Sequence, residues 1–191
     1  MTYSPKVSIV MPTFRRQHVL LRAVESILAQ SYQNWELIVV NNELGGKLPL
    51  MLDSRIFVWQ HTEETSAAYA RNAGLAHAKG DLVCFFDDDD EMLPGYLGKM
   101  VQPFACPTVM IVRCGMAHPP GIDFSHATPE VWLRREHATA TWQNGTYAQD
   151  QIYFQNIVRK HGWTGVHEVQ LGEVLVRAYT EAKGGIREGA L

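Results

Sequence analysis

The stretch that most constrains this chain is an apolar run that stops in four carboxylates: Leu82-Val83-Cys84-Phe85-Phe86, then Asp87-Asp88-Asp89-Asp90. Val83, Phe85 and Phe86 suit a buried strand. Four adjacent acids repel one another, and burying them is unfavourable unless a cation neutralises them. Carboxylates clustered at a strand end are natural ligands for a hard cation such as Mg²⁺ or Mn²⁺. In open α/β sheets, ligands bind just beyond the carboxyl ends of the strands. The run therefore reads as a metal site able to hold a diphosphate. The plainer reading is a solvated acidic turn, and the five apolar residues directly before it weigh against that.

The rest of the composition narrows the class. With 191 residues, 46% of them hydrophobic, the chain suffices for one sizeable core, and residues 1–191 are expected to form a single domain. A net charge of −3 gives no global field for nucleic acid or anionic lipid. Cys84, Cys106 and Cys114 show no C-x-x-C spacing and fit a reducing compartment. No apolar stretch approaches the roughly 18 residues of a membrane span. A soluble cytoplasmic protein is the default expectation.

Hydrophobic periodicity orders the first half. Val7–Met11 is a strand ended by Pro12. Val19, Leu20, Ala23, Val24, Ile27 and Leu28 recur at helical spacing. Leu37–Val40 and Ile56–Trp59 are further strands, with Asn41-Asn42 as a turn signal. Ser66–Lys79 favours helix, with Gly80 at the expected C-cap. Strands alternating with helices argue for a parallel α/β sheet. In the second half, Val109–Val112 and Val174–Val176 are short strands, residues 115–129 a long loop, Asn144-Gly145 a turn, and Gln149–His161 a helix closed by Gly162. Gly184-Gly185 opens a tail with little to bury.

Several segments, in order, resemble the family 2 glycosyltransferases of GT-A fold. Val-Ser-Ile-Val-Met-Pro-Thr-Phe (7–14) looks like that family's first strand and loop. The stretch Ser26 to Val40 is similar to its first helix and second strand, and Ala70-Arg71-Asn72-Ala73-Gly74 to a helix segment. Phe86 to Asp90 followed by Leu93-Pro94 resembles its DXD motif and the following helix. Gln149-Asp150 with Arg159 resembles its Glu-Asp motif, and Glu173 to Arg177 its closing strand. The resemblance spans about residues 6–180 and is most specific over the first 97. It implies a nucleotide-sugar-binding half (1–97) and a short acceptor half (98–191).

The resemblance further implies transfer of a sugar from a nucleotide-diphosphate donor to a carbohydrate or lipid-linked acceptor, with inversion at the anomeric carbon. The departing nucleoside diphosphate gains negative charge and needs a cation, Mn²⁺ or Mg²⁺. Asp89, with Asp87, would hold it; Asp87 or Asp88 would reach the donor's ribose or sugar. Asp90 is the least committed of the four. Pro12 and Thr13 would line the nucleotide pocket, and Arg71 would reach the base or diphosphate. Asp150 would be the general base, although an acid in the first turn of a helix also simply suits its dipole.

The chain departs from the family pattern at three places. Asn41 and Asn42 stand where acids usually read the nucleotide base; Asn accepts through its carbonyl but also donates. Glu43 is a candidate for the missing acid. Arg15 replaces an Asn and adds positive charge near the donor. Gln149 replaces the Glu of the Glu-Asp pair.

Other features have plainer readings. His118 and His167 are loop histidines that read first as surface residues. Trp132, Trp142, Tyr147 and Trp163 suit sugar rings, but core packing is their ordinary job. Arg134-Arg135 reads as a solvated helix face, with a lipid phosphate as the alternative. Two competing functions stand beside transfer. One is a nucleotide-sugar-binding protein of the same fold without turnover. The other is a nucleotidyltransferase, against which the glycine-free Thr13-Phe14-Arg15-Arg16 argues. The missing Gln-x-x-Arg-Trp motif speaks against processive synthesis.

Overall fold

The computed structural model describes residues 3–48, 53–60, 66–117, 131–143, 149–162 and 168–178. Eight strands form one sheet: β1 (Val7–Thr13), β2 (Trp35–Asn41), β3 (Ile56–Gln60), β4 (Leu82–Phe85), β5 (Asp90–Met92), β6 (Ile111–Ala117), β7 (Val131–Arg134) and β8 (Glu168–Ala178), in the order β3-β2-β1-β4-β7-β6-β8-β5. The first four pair in parallel, as do β6 and β8. β7 runs antiparallel to β4 and β6, and β5 antiparallel to β8, so the sheet is mixed with parallel pairs in the majority.

Helices cover both faces, which is why β1 and β2 are buried throughout and read as mostly apolar runs, with Ser8 and Glu36 buried among them. The alternation of side chains along a strand sorts the core into two layers. Val7, Ile9 and Met11 pack with Leu37, Val39 and Cys84 against α1 (Gln17–Leu28) and α3 (Tyr96–Val101). Val10, Ile38, Val40, Val83 and Phe85 pack against α2 (Ala67–His77) and α4 (Gln149–Lys160). The α1 stripe Val19, Leu20, Ala23, Val24 and Ile27 is buried, and truncating Leu20 or Ile27 to Ala costs about 2–5 kcal/mol. α2 presents a small-residue face, Ala68, Ala70 and Gly74. A Cβ on Gly74 would stand 2.4 Å from Val10 Cγ1, so glycine lets this helix lie close on the sheet.

Several expectations need correction. β1 does not end before Pro12 but runs to Thr13. Val10 O accepts from Phe86 N, and alternation turns the Pro12 nitrogen the same way, beyond the last β4 pair; its missing N–H therefore removes no ladder bond. Gly80 is not a helix cap: α2 ends at His77, with Ala78 as the capping residue. A Cβ on Gly80 would meet Ser8 N at 2.6 Å, so the glycine serves the close approach of this connection to β1. β6 begins at Ile111 rather than Val109 and continues through Ala117, into the expected loop. β8 has 11 residues where a short strand is read, because it pairs with both β6 and β5. β5 and β7, three and four residues long, are too short for periodicity to show.

Arg134 is not on a solvated helix face but ends β7 half-buried, whereas Arg135 is exposed and opens a short 3-10 turn (Arg135–His137). Arg134 donates to the carbonyls of Val109, Phe104 and Cys106, and Arg135 Nε to that of Gly80. Trp132 is core, its Nε1 donating to Tyr96 Oη at 2.8 Å. His118, Tyr147, Trp163, His167, the rest of the expected loop from residue 118 to 129, the Asn144-Gly145 turn and the tail at Gly184-Gly185 lie outside the described residues.

Candidate functional site

The carboxyl ends of β1, β2 and β4 lie side by side, and the acidic turn follows β4 directly. Thr13, the last residue of β1, donates through Oγ1 to Asp88 Oδ2 at 2.6 Å. Arg16, the residue before α1, reaches the same turn: its Nη1 lies 3.2 Å from Asp88 Oδ1 and 2.7 Å from Asp89 Oδ2. Arg22, one turn and a half further on, donates to the Asp89 carbonyl. From α2, Arg71 Nη2 lies 2.8 Å from Asp87 Oδ1. The N-cap Ser66, whose Oγ accepts from Tyr69 N, starts α2 so that Arg71 falls on this side.

Electrostatically the turn is short of positive charge. Burial, reinforced by the neighbouring Asp87 charge, pushes Asp89 up to about 6 even with Arg16 beside it. Burial also raises Asp88, against the opposing pull of Thr13 and Arg16. Asp87 is half exposed and Arg71 largely buried. Asp90 leaves the cluster: it opens β5, opposite Ala178. Among the described residues no three His, Cys, Asp or Glu side chains converge as a ready-made cation cage. The chemistry of the donors still suits a divalent cation, since Asp87 and Asp89 are hard oxygen ligands in a turn whose acids are under-neutralised. A cation on Asp89 would have to share that carboxylate with Arg16.

The remaining candidates are placed as follows. Asn41 is buried; its Nδ2 donates to Gly46 O and Gln60 Oε1, and its Oδ1 accepts from Glu43 N. Asn42, also buried, donates to Ser66 O through Nδ2 and to Thr13 O through its backbone, which sets it against the end of β1. Arg15 adopts φ +55° and turns its guanidinium over Phe14, with Nε 3.7 Å from Glu43 Oε1. Asp150 lies in the first turn of α4, and its side chain lies outside the described residues. Two contacts escape a reading of the sequence. Arg16 was masked by its neighbour Arg15, although only Arg16 adjoins the helix that aims it at the turn. Asn72 holds Trp142 by two hydrogen bonds to its backbone, a partner 70 residues away that no local pattern reveals.

The model of the family described as "Glycosyl transferase family 2" matches residues 8–163. The chain belongs to that family.

Relatives in glycosyl transferase family 2 include the "Putative colanic acid biosynthesis glycosyl transferase WcaA" of Escherichia coli K12, 35% identical over 103 residues, 51% of this chain and 37% of that one. A second is the "UDP-Glc:alpha-D-GlcNAc-diphosphoundecaprenol beta-1,3-glucosyltransferase WfgD" of Escherichia coli, 36% identical over 100 residues, 50% of this chain and 40% of that one. The chain thus spans well under half the length of these relatives. Solved structures share its GT-A fold. S. aureus TarS 1-349 in complex with UDP-GlcNAc superimposes with a TM-score of 0.76 at 14% identity, covering 97% of this chain and 62% of that one. The mannosyltransferase PcManGT from Pyrobaculum calidifontis, in complex with GDP-Man and Mn²⁺, gives a TM-score of 0.73 at 19% identity, covering 96% and 59%. Among the described residues no helix is long and apolar enough to cross a membrane.

Proposed function

We propose that this family 2 chain transfers a sugar, with inversion, from a nucleoside-diphosphate donor to a hydroxyl acceptor in a divalent-cation-dependent reaction. The observation that carries the reading is the gathering of Asp87, Asp88 and Asp89 with Thr13 and Arg71 at the carboxyl ends of β1 and β4. A glycosyl transferase family 2 chain has its donor chemistry where open α/β sheets bind ligands.

Thr13 fixes the buried Asp88 carboxylate by its hydrogen bond. Asp87, half exposed, faces the space a donor would enter, and Arg71 orients it while bringing a fixed positive charge toward the diphosphate. Asp87 and Asp89 would hold Mn²⁺ or Mg²⁺, which offsets the charge that develops on the departing diphosphate. Pro12, Asn41, Asn42 and Arg15 surround the nucleotide end in this reading. Asp150 accepts the proton of the attacking hydroxyl; a positioned base contributes about 10²–10⁴-fold. α4, whose first turn holds Asp150, packs through Tyr153 on Phe85, two residues before Asp87, and that proximity supports the assignment.

WfgD uses, by its name, a UDP-Glc donor and a lipid-diphosphate acceptor. By analogy a carbohydrate on a lipid carrier is the proposed acceptor class here, which would bring a cytoplasmic chain to the inner membrane face. Gln149 in place of the family's Glu favours one second reading, a nucleotide-sugar-binding protein with little turnover. Thermal shift across UDP, GDP, dTDP and CDP, with and without Mn²⁺, tests the donor half. A nucleotide at 100 times its Kd adds about 2.7 kcal/mol of apparent stability. No Mn²⁺-dependent shift with any of the four would sink both readings. Binding without donor hydrolysis or transfer would favour the second.

A further inference from the structure

Trp142 occupies the seam between the acidic turn and α4. Its indole is almost fully buried. The Arg71 guanidinium lies 4.7 Å from the indole ring, and the same Arg71 holds Asp87. On α4, Tyr153 stacks on the indole with centroids 4.3 Å apart and planes 11° from parallel. Phe85, two residues before Asp87, meets both rings edge-on, at 4.8 Å and 5.5 Å. One indole therefore touches the arginine that orients a donor-side carboxylate and the helix that begins at Gln149-Asp150.

Ring contacts alone do not fix an indole, because stacking is tolerant of sliding. The fixing comes from Asn72, next to Arg71 on α2. Its Nδ2 donates to Trp142 O at 3.1 Å and its Oδ1 accepts from Trp142 N at 2.9 Å. Both halves of the amide are used on one residue's backbone, a two-point clamp that sets position and direction together.

We propose that Asn72 is a positioning residue for donor binding: it clamps the Trp142 backbone so that the indole holds Arg71 in register with Asp87 and keeps α4 against the donor half. The proposal rests on the transferase reading above. Asn72 acts through Arg71 and contacts no substrate, so its effect must depend on Arg71 being present.

A double-mutant cycle tests this. Affinity is measured by calorimetry for UDP, GDP, dTDP and CDP, each with Mn²⁺, and the tightest is used throughout. Asn72→Ala is expected to weaken binding about tenfold in the natural background, and less than twofold when Arg71 is already Gln. The part of the near-UV circular dichroism that Tyr153→Phe removes, which reports the Trp142–Tyr153 stack among the chain's five Trp and seven Tyr, should weaken in Asn72→Ala. Asn72→Asp keeps the acceptor for Trp142 N and loses the donor to Trp142 O. It should show the same two effects, and it carries the cycle if Asn72→Ala does not fold. Unchanged affinity in Asn72→Ala, or equal losses with and without Arg71, overturns the proposal while the donor reading stands. Failure of the natural chain to bind any of the four nucleotides overturns the donor reading and the proposal with it.

Discussion

Arg16 Nη1 lies 2.7 Å from Asp89 Oδ2, and the same nitrogen reaches Asp88 Oδ1 at 3.2 Å. One side chain thus serves as the cation for two carboxylates of the turn, and it falls short of neutralising it. Asp89 remains pushed up to about 6 by burial and by Asp87. Holding it ionised at pH 7 opposes folding, by about 1–3 kcal/mol for a shift of this size. Asp89→Asn should therefore raise the melting temperature, at about 2–4 °C per kcal/mol for a chain of this length. Calorimetry on the same variant should find no Mn²⁺-dependent nucleotide binding. A lower melting temperature would show that the ion pair with Arg16 outweighs desolvation.

The same group sets a pH dependence. Its folded pKa, about 6, lies above the ordinary 3.8, so between these values the folded state holds a proton that the unfolded chain has released. Folding stability from this group therefore grows as pH falls from 6 toward 4, and the gap between the natural chain and Asp89→Asn closes over that range. A proton on Asp89 also competes with a cation. Mn²⁺ affinity should fall as pH drops below about 6, which titrations at pH 5, 6 and 7.5 would read. Equal Mn²⁺ affinity at all three would remove Asp89 from the metal assignment.

How much of this the sequence discloses depends on the range of the interaction. β1, β2 and β4 are legible because both their faces are covered, so burial writes mostly apolar runs into the chain. The acidic turn is legible because its cost is local: four acids after a buried strand demand a cation. β5 and β7 escape because three or four residues carry no period, and their pairing with β8 and with β4 and β6 is set by tertiary contact. The long β8 is misjudged because much of its length answers to strands far away in sequence. Arg134 shows the same limit, since only the fold brings the carbonyls of Phe104 and Cys106 to a residue that looks like a surface cation. The Asn72–Trp142 clamp spans 70 residues, and nothing near either residue signals the other.

Tyr153 offers a test of the core beside that clamp. Its hydroxyl is buried and finds no hydrogen-bond partner among the described residues, and burial holds the phenol above its usual range. An unsatisfied buried polar group costs about 1–3 kcal/mol. Tyr153→Phe keeps the ring stacked on Trp142 and removes the orphan hydroxyl, so it should raise the midpoint of chemical denaturation. A clear fall would reveal a partner for the hydroxyl in solution.

Asp150→Asn should separate donor binding from transfer. The residue stands in the first turn of α4, where an acid also favours the helix dipole by about 0.3–1 kcal/mol. A dipole role alone predicts a small loss of stability and no loss of rate. A base predicts the reverse: nucleotide and Mn²⁺ affinities hold, while kcat and kcat/KM fall together by about 10²–10⁴-fold, because the lost interaction exists only in the transition state. Slow hydrolysis of the donor by water should survive in the variant, since Asp87, Asp89 and Arg71 are untouched. Measuring hydrolysis and transfer on the same preparation reads both halves of the site at once. Transfer at the natural rate would reduce Asp150 to a helix-terminus acid and, of the acids and histidines Glu130, Glu136 and His137 that the sequence offers next, leave Glu130 to be tested. Glu136 and His137 are excluded by the fold: they follow Arg134, which pairs with Leu82 at the amino end of β4, and His137 packs on His161 past the far end of α4 from Asp150.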